Sequence, residues 1–139
     1  MYLCWPNPDL ACIAAMQPEK QLYELVRTLS QYRYPIGSES EFQAGLELVL
    51  QTHGIRYIRE CNLGREFGRV DFYLPEFCTG VELKVKGGPS EVVRQLHRYC
   101  QSPEIRAVVL LTSRQRLARM PASINGKPLV SISLVWGQI

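Results

Sequence analysis

Residues 68–87 read Gly-Arg-Val-Asp-Phe-Tyr-Leu-Pro-Glu-Phe-Cys-Thr-Gly-Val-Glu-Leu-Lys-Val-Lys-Gly. With period two, this is a pair of strands. Val70, Phe72 and Leu74 fall on one face of the first, Asp71 and Tyr73 on the other. Val81, Leu83 and Val85 share a face of the second, and Glu82, Lys84 and Lys86 take the opposite one. Pro75 to Cys78 supply a short connection, so an antiparallel hairpin is expected. Pairing Leu74 with Thr79 sets Asp71 opposite Glu82, with Lys84 two residues along the same face. A register slip of two would still leave the acids diagonal neighbours.

Two carboxylates held together repel unless a cation lies between them. Magnesium suits such a gap, because it is bound through one or two carboxylates and keeps positions for waters and phosphate oxygens. An ion so placed activates water and stabilises charge on phosphate, and a nearby lysine positions the water or neutralises that charge. The same alternation also fits a solvated strand face carrying a cross-strand ion pair.

Asp71 followed by Glu82-Leu83-Lys84 resembles the core of the PD-(D/E)XK nuclease superfamily, in which the acid ends one strand and (D/E)-x-K lies on the next. Val70 stands where the written pattern has proline. The resemblance implies an α/β fold, a three-layer α/β/α restriction-endonuclease-like core with a mixed central sheet. It implies Mg²⁺, replaceable by Mn²⁺, held by Asp71 and Glu82, with Lys84 orienting the attacking water. The Val85 region would add a backbone carbonyl. A third acid on the helix before the sheet is also implied: Glu41, with Glu39 and Glu47 as alternatives. Gln95-Leu-His-Arg-Tyr99 matches the Q-x-x-x-Y helix of exonuclease-type members, where it faces the active site and contacts DNA or the lysine. Residues four apart share a helix face, which also fits a core tyrosine beside an exposed glutamine.

A chain of 139 residues, 46% hydrophobic and 21% charged, is expected to form one globular domain. Within it, residues 1–37 are expected to be an arm and helix packed on a core spanning 38–139. No apolar run approaches the ~18 residues of a membrane span. Leu10 to Met16 is short and follows no basic segment, so no secretory signal is expected. Five scattered cysteines without C-x-x-C spacing support neither zinc nor a disulfide framework and fit a reducing cytoplasm. The net charge of +3 is unevenly spread. Residues 1–90 carry nine Lys/Arg against eleven Asp/Glu, a balance of −2, and residues 91–139 seven against two, a balance of +5. An acidic site beside a basic C-terminal third suits a polyanionic partner.

Along the chain, residues 1–18 read as an irregular arm or short helix. Glu19–Gln31 and Ser38–Thr52 are expected as amphipathic helices, the second capped by Ser38, closed into a capping box by Glu41 and stopped at His53-Gly54. Ile55–Leu63 is a first strand; Glu60 and Glu66 are within range of approaching the site, but surface pairing with Arg59 or Arg65 is the expected arrangement. After the hairpin, Gly87-Gly88-Pro89-Ser90 turns into a helix over Glu91–Cys100, with Ser90 as its cap. That turn is either an ordinary connection or a phosphate contact. The apolar run Ile105–Thr112 reads as a buried strand reached by a right-handed crossover, parallel to the Glu82 strand. Arg114, Arg116 and Arg119 are candidates for backbone-phosphate contacts or a solvated basic turn. Leu129–Val135 is the last strand. Neither His53 nor His97 is assigned a catalytic role.

The functional expectation is a metal-dependent DNA endonuclease hydrolysing phosphodiester bonds. The substrate would be branched or structured DNA, cut by a homodimer in the manner of small junction resolvases and VRR-type nucleases. Phage, mobile-element and nucleoid-associated settings are all consistent with the residues. The alternatives are a non-catalytic nucleic-acid-binding module on the same scaffold and an RNA-directed nuclease.

Overall fold

The computed structural model describes residues 17–134. Most of the expected N-terminal arm and Val135 of the last strand lie outside the described residues. Helix α1 spans Pro18–Ser30 and α2 spans Glu39–Thr52. Pro18 suits the start of α1 because its missing N–H is one the first turn cannot use. Glu19 in that turn and Arg27 in the last complement the helix dipole. Ser38 Oγ accepts the Glu41 amide at 3.1 Å to open α2. His53 and a left-handed Gly54 close it, as the sequence predicts.

Six strands follow: β1 (Ile58–Asn62), β2 (Arg69–Leu74), β3 (Thr79–Lys84), β4 (Ala107–Thr112), β5 (Ser123–Ile124) and β6 (Lys127–Ser133). Helix α3 (Pro89–Tyr99) connects β3 to β4. The sheet order is β1-β2-β3-β4-β6-β5. The β1–β2 and β2–β3 pairs are antiparallel, and β3–β4 and β4–β6 are parallel, so this is a small α/β fold with a mixed sheet. The hairpin register is the expected one, Leu74 opposite Thr79. A 3₁₀ turn over Pro75–Phe77, closed by left-handed Cys78, makes the connection. The two-residue β5 was not legible as a strand, and Gln115–Leu117 forms a single 3₁₀ turn between β4 and β5. Helix α3 begins at Pro89 behind Gly88, so Ser90 is inside the helix and is not its cap.

Two apolar clusters pack on the sheet. Leu25 and Leu29 of α1 and Phe42, Leu46 and Leu50 of α2 join Phe72, Leu74, Val81 and Leu83. Val92, Leu96 and Tyr99 of α3 join Val70, Tyr73, Val108 and Leu110. One sequence expectation is corrected here. Val70 does not share a face with Phe72 and Leu74; it packs with Tyr73 on the α3 side. Strict alternation therefore fails between Val70 and Phe72, at Asp71. Gly80 lets β3 pass close to this second cluster, since a Cβ there would sit 3.1 Å from Val70 Cγ2.

Candidate active site

The β2–β3 ladder pairs Leu74 with Thr79, Tyr73 with Gly80 and Phe72 with Val81. The next row is Asp71 and Glu82, and there side chains take over the hydrogen bonding. Leu83 N–H donates to Asp71 Oδ2 at 2.9 Å. Asp71 N–H donates to Glu82 Oε1 at 3.2 Å. Each acid thus caps the partner strand's backbone where the two strands part. Buried amides need such partners, and a charged acceptor strengthens the bond.

Glu82 is 2% exposed, which few carboxylates tolerate without several partners. Lys84 Nζ lies 3.2 Å from its Oε2. Tyr99 OH is 3.1 Å from Oε1, 2.7 Å from the Arg69 carbonyl, and accepts Gln95 Nε2–H at 2.8 Å. A phenol has one proton for these two acceptors. The shorter contact, to Arg69 O, takes it when Glu82 is protonated, and the carboxyl then donates back to the phenol. Gln95 and Tyr99 thus share a face, as their spacing predicts, and that face meets the acid pair.

Burial raises the Glu82 pKa to about 7, and the charge of Asp71 adds to the effect; Lys84 works against it. Burial also raises Asp71, opposed by the Leu83 bond and Lys84 and reinforced by the charges of Glu39 and Glu60. The acid of α2 whose charge bears on Asp71 is therefore Glu39. Glu41 caps nothing with its carboxylate; its Oε2 lies 2.6 Å from where a Cβ on Gly37 would fall. It lines a groove with Tyr32, Pro35 and Leu48 that contains neither Asp71 nor Glu82. Glu47, the other alternative, is engaged by Tyr57 at 2.9 Å and Arg59 at 3.5 Å. Arg59 thus pairs with Glu47 and Gln43, and the expected Arg59–Glu60 pair is replaced by proximity of Glu60 to Asp71.

Lys84 ends β3 beside Thr112, which ends β4. Thr112 Oγ1 donates to the Lys84 carbonyl at 2.8 Å and accepts the Arg114 amide at 2.9 Å. One buried hydroxyl thus ties the arginine loop to the lysine. Arg114 is half-buried, and Arg116 and Arg119 are exposed. The sequence offers Glu39 only as an alternative to Glu41 and favours a surface pair for Glu60; Thr112 is missed altogether, because it belongs to no spaced motif with the hairpin.

Asp71 and Glu82 are the two carboxylates here that could hold a divalent ion. Among the described residues, no group of three or more His, Cys, Asp or Glu side chains is placed to hold a metal ion. Magnesium does not require such a group, being bound by one or two carboxylates with phosphate and water completing its shell. A cation beside Asp71 and Glu82 would also relieve the repulsion that raises both acids.

A larger concavity of about 980 Å³ lies elsewhere, lined by residues such as Leu22, Tyr23, Val26, Phe77 and Val130. Glu19, Glu76 and Arg106 also line it, but none of the groups whose acidity burial shifts does, so chemistry rather than size selects the hairpin site. No protein family, curated protein or solved structure matches this chain. Among the described residues, no helix is long and apolar enough to cross a membrane.

Proposed function

We propose that this chain is a metal-dependent deoxyribonuclease built on a three-layer, restriction-endonuclease-like version of its α/β fold. The observation that carries the reading is the row where β2 and β3 part. There a 2%-exposed Glu82, Asp71 and Lys84 converge with their backbone neighbours bonded to side chains. A protein that needed only a stable sheet would continue the ladder and keep two repelling acids out of its interior.

Asp71 and Glu82 are the residues that would hold Mg²⁺ or Mn²⁺, with Glu39 of α2 the nearest candidate for an outer acid in place of Glu41. The bound ion would supply charge stabilisation at the phosphate and a lowered pKa for attacking water. Lys84, 3.2 Å from Glu82 Oε2, is placed to orient that water and to neutralise charge developing on the phosphate. Tyr99 and Gln95 hold Glu82 in its rotamer. Arg114 and Arg116, on the loop tied to Lys84, supply phosphate contacts on the substrate strand. Branched DNA cut by a homodimer is the substrate reading that a compact domain of this kind supports.

The test is hydrolysis of plasmid, branched and single-stranded DNA and of matched RNA, with Mg²⁺, Mn²⁺ or EDTA. Metal-dependent cleavage of DNA is expected, and Lys84→Ala or Asp71→Asn should lower its rate at least ~100-fold. Undiminished cleavage by both variants would sink the assignment. Salt-sensitive DNA binding without any cleavage would indicate the non-catalytic module instead.

A further inference from the structure

Glu60 lies inside β1 with φ of +46°, the left-handed region that side chains bearing a Cβ avoid. The other non-glycine residues with positive φ among the described residues are Cys78, which closes a 3₁₀ turn, and Asn125, in the β5–β6 turn. Left-handed residues are ordinary in turns. Glu60 is different, because strand surrounds it on both sides.

Its partner row explains why. β1 pairs with β2 as Ile58–Tyr73 and Arg59–Phe72, and then as Cys61–Val70 and Asn62–Arg69. The register is the same before and after, so no residue is inserted and this is not an ordinary β-bulge. The row skipped between them is Glu60 and Asp71. Across that row both strands turn over. Ile58 and Cys61 pack with the same α3 cluster although three residues apart, and Val70 and Tyr73 do likewise. Period two would send such pairs to opposite faces.

With Val70 on one side of the sheet and Phe72 on the other, the Asp71 side chain between them runs along the sheet toward β3. There it meets Leu83 N–H at 2.9 Å. We propose that Glu60 is a positioning residue: its left-handed backbone turns β1 and β2 over together, and this holds the Asp71 carboxylate in the plane of the sheet at the cleavage site. The device acts through the main chain, and the exposed Glu60 side chain is not needed for it. Strain retained in a strand at a functional row is the expected mark of such a device. The inference deepens the proposed nuclease reading, and its link to cleavage rests on that reading.

The experiment compares Glu60→Gly, Glu60→Gln, Glu60→Ala and Glu60→Val. The readouts are amide hydrogen exchange at Leu83 relative to Leu110, Mn²⁺ binding by calorimetry, and DNA cleavage. Glycine accepts positive φ freely and should preserve Leu83 protection, as should glutamine. Both remove the charge that bears on Asp71, so Mn²⁺ binding and cleavage in the other variants are read against these two. Valine, β-branched and strand-forming, should speed Leu83 exchange by about tenfold relative to Leu110 and weaken Mn²⁺ binding to a similar degree. Alanine should fall between glycine and valine, so the Ala–Gly difference decides the matter if the valine variant does not fold. Normal Leu83 protection in both the alanine and valine variants, or its loss in Glu60→Gly, would overturn the proposal. If wild-type protein neither binds Mn²⁺ nor cleaves, the nuclease reading fails, while the Leu83 exchange pattern still decides whether Glu60 positions Asp71.

Discussion

The two long edges of β3 are built differently. Toward β4 the strand is paired along its whole length, from Thr79 with Ala107 to Lys84 with Thr112. Toward β2 the pairing stops after Phe72 and Val81, and side chains carry the bonds beyond. β4 itself is buried at every residue and paired on both sides. The comparison shows how a sheet can open without loosening its reactive groups. The β4 edge fixes the main chain of Glu82 and Lys84, so parting from β2 turns a row of side chains over to hydrogen bonding on a support paired along its whole length.

Substitutions on the two edges should therefore fail in different ways. The largest loss of stability is expected on the closed edge. Leu110→Ala removes a fully buried side chain from β4 and should cost about 2–5 kcal/mol in urea denaturation. The metal affinity of the fraction that remains folded should be unchanged. If Leu110→Ala instead weakens Mn²⁺ binding in the folded protein, the two edges are not separate.

On the open edge, Tyr99→Phe leaves the Arg69 carbonyl, Glu82 Oε1 and Gln95 Nε2 each short of a partner. It should cost about 1–3 kcal/mol and reduce cleavage as Glu82 loses its fixed rotamer. Equal stability with full activity would show that the parted strands hold Glu82 without the phenol.

Glu82→Gln sharpens the comparison further, because removing a group should here stabilise the metal-free protein. The folded state keeps a proton on Glu82 up to about pH 7, whereas the unfolded chain releases it near the ordinary value of 4.5. Folded protein thus binds more protons across that window, and Glu82 makes stability fall as pH rises through it. Asp71, also raised, acts with the same sign. Urea midpoints in EDTA should decline for wild type over this range and decline less for Glu82→Gln, which should also lose cleavage. A divalent ion binds the ionised acids, so its stabilising effect on wild type should grow as pH rises past 7. A flat profile for wild type would mean that Glu82 is ionised throughout.

The smallest effect belongs to the joint between the edges. Thr112→Val keeps the volume but loses the bonds to Lys84 O and from Arg114 N–H. A cost of about 1 kcal/mol is expected, with weaker DNA binding as the arginine loop shifts. DNA affinity equal to that of wild type would remove the loop from the substrate contacts.

Much of the candidate site can be read from particular residues. The alternation through residues 79–84, the Leu74–Thr79 register and the four-residue step from Gln95 to Tyr99 are local patterns. Each is set by the geometry of one strand, one short connection or one helix turn. Together they place Asp71, Glu82, Lys84, Gln95 and Tyr99 in one neighbourhood, where the structure also finds them. The Ser38 cap and the Gly54 stop are local in the same sense.

The third acid shows where local pattern ends. Both Glu39 and Glu41 lie in the first turn of α2, and helix spacing cannot say which of them approaches a strand more than thirty residues later. Packing of α2 on the sheet decides it, bringing the charge of Glu39 to bear on Asp71. Glu60 is a further case: period two assigns it an ordinary strand conformation, and the left-handed one comes to light only in the structure, at the row skipped between paired rows of β1 and β2. The amino-acid sequence by itself determined five of the six strands, the register of the hairpin and the chemical types that meet, because these follow from interactions a few residues long. The parting of β2 from β3, the inversion at Glu60 and Asp71, and the Thr112 joint were decided by tertiary structure alone. Each depends on satisfying buried backbone groups contributed by segments far apart in the chain.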